Sequence, residues 1–455
     1  MYDTQDTIAA IATPIGEGGV GLIRLSGPQA IDIARVLFAG VRSEPNWASH
    51  RLYYGHIVEP DTRAVVDEVM VSVMKAPRSY TREDVIEIGC HGGPVPLQTV
   101  LGLCLRHGAR LAEPGEFTLR AFLNGRLDLS QAEAVLDIIH ARTEAGLRAA
   151  VGQLEGRLSS RVRAIRQELM GALAYLTATI DFTEQEIPPQ DIGPGLVSLR
   201  DSLLDLLGEA ENGIIFRQGV RVAIIGRPNV GKSSLFNALL RADRAIVTPI
   251  PGTTRDTVEE ILNLRGVPVV LVDTAGFNDQ TEDLVERLGV ERSRAALNQA
   301  DLILWVIDGS QSLSDTERAL AGLLNGRPAV IVVNKVDLPG RADLGELSAA
   351  APPVPLSALT GAGLADLEEA MLRLILGGKV ISADGPLVSN PRHEQALQRA
   401  LDHVQAALCA YQQGWPTDAV TIDLTLGGEA LGEITGETVS DDLLQTIFSQ
   451  YCIGK

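Results

Sequence analysis

Nearly unbroken apolar runs occupy Val220–Ile225, Val269–Val272, Leu302–Ile307 and Ala329–Val333. Runs this short predict strands covered on both faces, as in a parallel sheet flanked by helices. Upstream, Thr7–Ile11, Gly19–Leu25, Val65–Val73 and Asp84–Ile88 predict further strands, and Pro96–Leu105 predicts a helix. Pro14 and Gly16-Glu17-Gly18-Gly19 turn the chain between the first two strands, and Pro114-Gly115 breaks the pattern. Elsewhere the period changes. Val162, Ile165, Leu169, Leu173, Leu176 and Ile180 are spaced three, four, four, three and four, one apolar stripe of a long helix. Acidic Asp181, Glu184 and Glu186 and then Pro188-Pro189 end it, and Leu199–Leu207 begins another amphipathic run. Leu397, Leu401, Val404 and Leu408 repeat the helical spacing, and Ser440 before Asp441-Asp442 predicts a helix cap feeding Leu443, Leu444, Ile447 and Phe448. Helices before and after an alternating strand–helix block predict a helical domain with an α/β domain inserted into it.

The chemistry is densest where the first of those buried strands meets its helix. Gly226-Arg227-Pro228-Asn229-Val230-Gly231-Lys232-Ser233, with Ser234 behind it, has the spacing of a phosphate cradle. Glycines let consecutive backbone N–H groups converge on phosphate oxygens, and the following helix N-terminus adds partial positive charge. Lys232 is expected at the β- and γ-phosphates and Ser233 on Mg²⁺. Asp273-Thr274-Ala275-Gly276 ends a strand with a carboxylate for Mg²⁺ and a glycine N–H for the γ-phosphate. Asn334-Lys335-Val336-Asp337 ends another strand. Its Asp337 can accept both hydrogen bonds of guanine's N1–H and amine, a pair that adenine lacks. Ser357-Ala358-Leu359 is expected near the guanine O6. Gly252-Thr253-Thr254 offers a hydroxyl for Mg²⁺, Thr254 above all. Each tetrapeptide alone is weak. In this order, at strand ends, they predict a GTP site of the translation-factor-related class.

Composition narrows the partners. The 455 residues carry a net charge of −19, so nucleic acid would be held locally or by a more basic partner. Only five lysines stand against 34 arginines, and Lys232 and Lys335 fall in the two nucleotide motifs. Met1-Tyr2-Asp3-Thr4-Gln5-Asp6 has no signal-like character and no run reaches membrane-spanning length, so a cytoplasmic protein is expected. Cys90, Cys104, Cys409 and Cys452 lack metal-ligand or disulfide-scaffold spacing.

Further motifs run the length of the chain: D-T-I-A-A-I-A-T-P at the N-terminus, G-G-V-G-L-I-R-L-S-G at 18–27 and H-G-G-P at 91–94. They continue with A-E-P-G-E-F at 112–117, R-A-F-L-N at 120–124, L-D-L-S-Q-A-E-A at 127–134 and C-I-G-K at 452–455. On these motifs the whole chain resembles the MnmE (TrmE) family of tRNA-modification GTPases. The resemblance implies a tetrahydrofolate-binding and dimerisation domain over 1–124. A helical bundle over 125–217 and 380–455 would be interrupted by a Ras-like P-loop GTPase domain over 218–379. Many small GTPases carry a water-orienting glutamine after D-T-A-G, whereas this chain has Phe277. The resemblance implies that K⁺ substitutes for an arginine finger, held by Asn229, Thr248, Ile250 and Thr253 in a segment that includes Pro249, Pro251 and Gly252. It implies that Glu286, in Asp283-Leu284-Val285-Glu286-Arg287-Leu288-Gly289, orients the attacking water; otherwise Glu286 reads as a solvated helix face. Arg24, Glu87, Arg126 and Lys455 match the family's site for 5-formyl- or methylene-tetrahydrofolate, although the family often has lysine at position 126. Cys452 reads as a nucleophile, a redox-sensitive thiol or a small buried apolar residue. The implied function is a K⁺-stimulated GTPase working as a homodimer with a flavin-dependent partner resembling MnmG (GidA). Together they would add an aminomethyl or carboxymethylaminomethyl group at C5 of the tRNA wobble uridine. The alternative is a GTP-driven ribosome-assembly or signalling switch without base chemistry.

Overall fold

The computed structural model describes residues 5–40, 46–182, 187–242, 260–273, 300–314, 317–318, 324, 326–340, 342, 353–378 and 388–455. The chain divides into two compact units, one of Met1–Leu136, Gln153–Leu196 and Asp402–Lys455, the other of Asp137–Gly152 and Val197–Leu401.

In the first unit β1 (Ile8–Ile11), β2 (Gly18–Ser26), β3 (Phe38–Gly40), β4 (Arg51–Val58), β5 (Val65–Met74), β6 (Val85–Gly92) and β7 (Arg110–Leu111) form one sheet, ordered β3-β4-β5-β6-β2-β1-β7. Its pairs are antiparallel except β1 with β7. Ile23, Leu25, Val71, Val73, Ile86 and Ile88 are buried against the helices Ala30–Leu37 and Pro94–Arg106, which contribute Ile33, Leu37, Leu97, Val100 and Leu103. The alternation of these strands leaves the other face to more polar residues. β4 and the helix Ala30–Leu37 are absent from the sequence reading, because Arg51-Leu52-Tyr53-Tyr54-Gly55-His56 lacks a clean period of two.

The helical stripe lands as the spacing predicts. In the helix Arg157–Asp181, Val162, Ile165, Leu169 and Leu176 are buried and Leu173 and Ile180 half-buried. It lies along Thr417–Thr435, where Gly428 accepts a 3.0 Å hydrogen bond from Arg166 Nε through its carbonyl. Ser440 caps Asp441–Phe448 by accepting from Leu443 N. Leu444, Ile447, Phe448 and Tyr451 then bury themselves against Leu119, Leu129, Ala132 and Leu136.

The second unit holds β8 (Val220–Ile225), β9 (Glu260–Leu264), β10 (Val267–Asp273), β11 (Leu302–Asp308), β12 (Ala329–Asn334) and β13 (Pro353–Pro355), ordered β13-β12-β11-β8-β10-β9. All pairs are parallel except β9 with β10. The unbroken apolar runs now have their cause. Val222, Ile224, Leu304 and Val332 pack into one core with Leu235, Leu367 and Met371, while Ala223, Ile225, Trp305 and Ile331 enter a second core on the opposite face. A doubly covered sheet therefore needs apolar side chains at odd and even positions alike.

One buried charge stands out in the first unit. Arg120 is 1% exposed and donates to the Asp6 carbonyl (3.0 Å), to Glu83 (3.3 Å) and to Glu116 (3.0 Å), and also pairs with the Asp6 carboxylate. Arg110 binds Glu116 at 2.6 Å and Asp6 at 2.7 Å. Burial would raise the Asp6 and Glu116 acidities' midpoints, but the two guanidinium groups hold both carboxyls below their ordinary values. Depressed carboxyl pKa values contribute stability above the unfolded-state range and lose it as pH falls through the folded-state range. Denaturant titrations should therefore show stability falling below about pH 4. At pH 7, Arg120→Met should cost about 3 kcal/mol, because it leaves half-buried Glu83 without a guanidinium and leaves Asp6 and Glu116 to Arg110 alone.

Candidate functional site

Two constellations carry the predicted chemistry. The first follows β8. Gly226 (φ +150°) and Gly231 (φ +99°) take left-handed conformations that side chains disfavour, and Asn229 (φ +65°) joins them between. Space matters as much as torsion. A Cβ on Gly226 would lie 2.3 Å from the Val306 carbonyl oxygen, and one on Gly231 would lie 2.2 Å from Asn334 Nδ2. Val230 is buried, so the loop is anchored while Ser233 and Ser234 stand exposed at the start of the helix Lys232–Ala242. Lys232 Nζ curls back to donate to the carbonyls of Gly226 (2.9 Å) and Arg227 (2.8 Å).

The guanine motif is tied directly to this loop. Buried Asn334, at the end of β12, donates from Nδ2 to the Val230 carbonyl at 2.8 Å. Its Oδ1 accepts from Lys335 N (2.8 Å) and Ala358 N (3.0 Å), so three chain segments meet on one amide. Lys335 Nζ donates to the Asn229 carbonyl at 2.8 Å and to Asp308 Oδ2 at 2.7 Å. Ser310 gives Asp308 Oδ1 both its N–H (3.0 Å) and its hydroxyl (2.6 Å). Burial would raise the Asp308 carboxyl, but the Lys335 ammonium and the Ser310 donors hold it below the usual range. Ser357 is buried; Asp337 and Leu359 are exposed. Asp273 closes β10, in register with Ile224 of β8.

Thr248, Pro249, Ile250, Pro251, Gly252, Thr253, Thr254, Thr274, Ala275, Gly276, Phe277 and Glu286 lie outside the described residues. Asp308 was missed by the sequence reading. Its signal was a lone acid closing the otherwise apolar run Leu302–Ile307.

The second constellation is in the first unit. Arg24 on β2 and Glu87 on β6 are cross-strand partners, and Arg24 places Nε and a terminal nitrogen on Glu87 Oε1, each at 2.8 Å. A third Arg24 nitrogen donates to the Gly454 carbonyl at 3.2 Å. The guanidinium lies 5.6 Å from the Phe117 ring and 5.9 Å from the Tyr80 ring, and Arg126 lies 4.9 Å from the same Tyr80 ring. The tail is seated by backbone bonds. Phe117 N donates to the Lys455 carbonyl at 3.2 Å, Pro114 bridges Ile453, and Gly454 (φ +94°) sits where a Cβ would lie 2.5 Å from the Ile11 carbonyl oxygen. Arg24, Glu87 and the tail are thus brought together, with Arg126 joined through Tyr80. Lys455 is half-buried, and Cys452 is exposed rather than a buried apolar residue. Burial raises the Tyr80 hydroxyl, which shares a 2.9 Å hydrogen bond with Thr118.

Among the described residues no group of three or more His, Cys, Asp or Glu could hold a metal ion, and no helix is long and apolar enough to cross a membrane.

A glycine loop between a parallel strand and a helix, with Asn334 and Lys335 bonded to its backbone, defines a P-loop GTP-binding protein. The family model described as the MnmE helical domain matches residues 129–452, and that described as the N-terminus of GTP-binding protein TrmE matches residues 7–126. The chain is 51% identical over 466 residues to the tRNA modification GTPase MnmE of Heliobacterium modesticaldum, covering 99% of each. It is 52% identical over 454 residues to that of Chloroflexus aurantiacus and 50% over 460 residues to that of Bacillus subtilis, covering 99% of this chain and 100% of the relative in both cases. The chain belongs to the MnmE family of GTPases.

Removing the Asp308 carboxylate frees Lys335 from its buried partner. Asp308→Ala should weaken GDP and GTP binding alike by about 10- to 100-fold, the worth of one charge-assisted hydrogen bond. Fluorescent-nucleotide titration checks it; unchanged affinity for both nucleotides would remove Asp308 from the site.

Proposed function

We propose that this chain hydrolyses GTP in the service of tRNA modification, adding an aminomethyl or carboxymethylaminomethyl group at C5 of the wobble uridine with a tetrahydrofolate one-carbon unit. The observation that carries this reading is the seating of Gly454 against Arg24 of the Arg24–Glu87 pair, with Lys455 next to it bonded to Phe117 N. A GTP-driven switch would have no use for such a site. Glu87 keeps Oε2 clear of Arg24 and can accept from a pterin's ring N–H and amine, while Arg126 and Lys455 suit the glutamate tail of the folate. Bound there, the folate would supply the carbon; the protein's part is to orient it and to shield it with the Tyr80 ring.

In the nucleotide pocket, the space that a Cβ on Gly226 or Gly231 would fill is what a close phosphate approach requires. Lys232 and the backbone of Asn229–Ser234 hold the phosphates, with Thr274, Ala275 and Gly276 beside the γ-phosphate. Ser233, Thr254 and Asp273 hold Mg²⁺. Asn334, Lys335, Asp337 and the Ser357–Leu359 segment select guanine. Glu286 orients the attacking water in place of the residue that Phe277 cannot supply. Asn229, Thr248, Ile250 and Thr253 hold K⁺, which supplies beside the phosphates the positive charge that other GTPases take from an arginine finger. The exposed, left-handed Asn229 supports that assignment.

The chain works as a homodimer in the cytoplasm with a flavin-dependent, MnmG-like partner. Nothing observed favours the switch alternative, and family membership speaks against it.

At equal ionic strength GTP turnover should be at least tenfold faster in K⁺ than in Na⁺, since a cation in the finger's place is worth up to about 10³–10⁵ in rate. Equal rates would remove the cation from the mechanism. Nucleoside analysis of tRNA from cells lacking this chain should show wobble uridine without its C5 substituent. Intact modification would overturn the tRNA reading, whatever the GTPase does.

A further inference from the structure

One groove of the first unit gathers three arginines that have no acidic partner among the described residues. An open groove of about 560 Å³ is lined by His50, Arg78, Tyr80, Arg82 and Arg126, over an apolar part that includes Met74, and no carboxylate lines it. Elsewhere among the described residues of the same domain five arginines are matched with acids, Arg24 with Glu87, Arg35 with Asp32, Arg106 with Glu59, Arg110 with Asp6, and Arg120 with three carboxylates, whereas Arg51 and Arg63 stand singly outside the groove lining. Among the described residues Arg78, Arg82 and Arg126 form no such pair. The acids nearest in sequence have other partners. Glu83 binds Ser26 and Arg120, and Asp84 accepts from Ala76 N. Two of the three guanidinium groups are held by neutral acceptors that leave their charge undiminished: Arg82 donates to the Asn124 carbonyl at 2.9 Å, and Arg126 to the Tyr80 carbonyl at 3.1 Å.

In a chain of net charge −19, three unpaired arginines around one groove keep a mutual repulsion that acids elsewhere in the domain relieve. A ligand bearing several negative charges would relieve it instead. Arginine's fork suits phosphate oxygens, and an open groove suits a strand better than an enclosed small molecule. The groove also shares Tyr80 and Arg126 with the Arg24–Glu87 site, so a strand lying along it would deliver a base to that site. Single-stranded RNA loops are recognised in this way, by backbone contacts beside a splayed-out base.

We infer that the Arg78–Arg82 end of this groove binds the phosphodiester backbone of a single-stranded RNA segment, the loop that carries the uridine to be modified, with Arg126 left to the folate. This deepens the proposed function and rests on it for the identity of the RNA.

The test uses the full chain and an anticodon stem-loop RNA, with the combined variant Arg78→Gln and Arg82→Gln; both side chains are exposed, and neither is assigned to the GTP or folate site. RNA affinity at moderate salt should fall by about tenfold, and the slope of log affinity against log salt should shrink by about 1.4, or about 0.7 per lost phosphate contact. GTP turnover and affinity for tetrahydrofolate carrying one or several glutamates should stay within about twofold. Arg78→Lys with Arg82→Lys should restore most of the slope, because charge alone sets it. An unchanged RNA affinity and slope would overturn the inference. So would unchanged RNA binding with weaker binding of polyglutamylated folate alone, which would give the groove to the folate's tail. Unsubstituted protein that binds folate but no RNA would sink the groove and leave the folate reading standing. RNA binding with the expected slope loss but no folate affinity would do the reverse.

Discussion

The Lys335 ammonium holds the nucleotide pocket together. It spans the Asn229 carbonyl, at the apex of the phosphate loop, and the buried carboxylate of Asp308. Beside it Asn334 reaches the next carbonyl of the loop, that of Val230. The loop's left-handed residues would cost free energy on their own, and strained backbone persists only where its surroundings over-determine it. Here those surroundings are the ends of β11 and β12, brought alongside β8 by the parallel sheet. Base recognition and phosphate binding therefore share a rigid frame, and a disturbance of the sheet at Asp308 or Asn334 reaches the phosphates through two hydrogen bonds.

The sheet itself was plain in the sequence, because burial on both faces forces apolar residues at successive positions and few other structures demand that. The phosphate loop was equally plain, since glycine spacing there answers to a backbone conformation that other residues resist. Asp308 was not. An acid after six apolar residues has no local partner to betray it, and Lys335, 27 positions away, is brought near only by strand pairing. The strand Arg51–Val58 was hidden for a different reason: with Leu52 and Tyr54 exposed and Gly55 and Ile57 buried, its apolar residues fall on both faces.

The second site was legible only through family resemblance. Arg24 and Glu87, 63 positions apart, read as ordinary charges until β2 and β6 pair them. Their environment is unusual among the paired arginines: two aromatic rings lie within 6 Å of the Arg24 guanidinium. Rings beside a cation stabilise it without neutralising it; Glu87 does the neutralising and fixes the direction of Arg24. Tyr80, missed in the sequence, connects this pair to Arg126.

The tail has a consequence in time. Arg24 and Gly454 meet across 430 residues of chain. At about 5–20 residues per second a ribosome needs roughly 20–90 s to travel that distance. The sheet can fold early, but the cleft beside Arg24 lacks a wall until Gly454 has been added. A nascent or prematurely terminated molecule can thus carry an intact G domain while the Arg24–Glu87 site still lacks its last wall, so translation itself sets the order in which the two sites are completed.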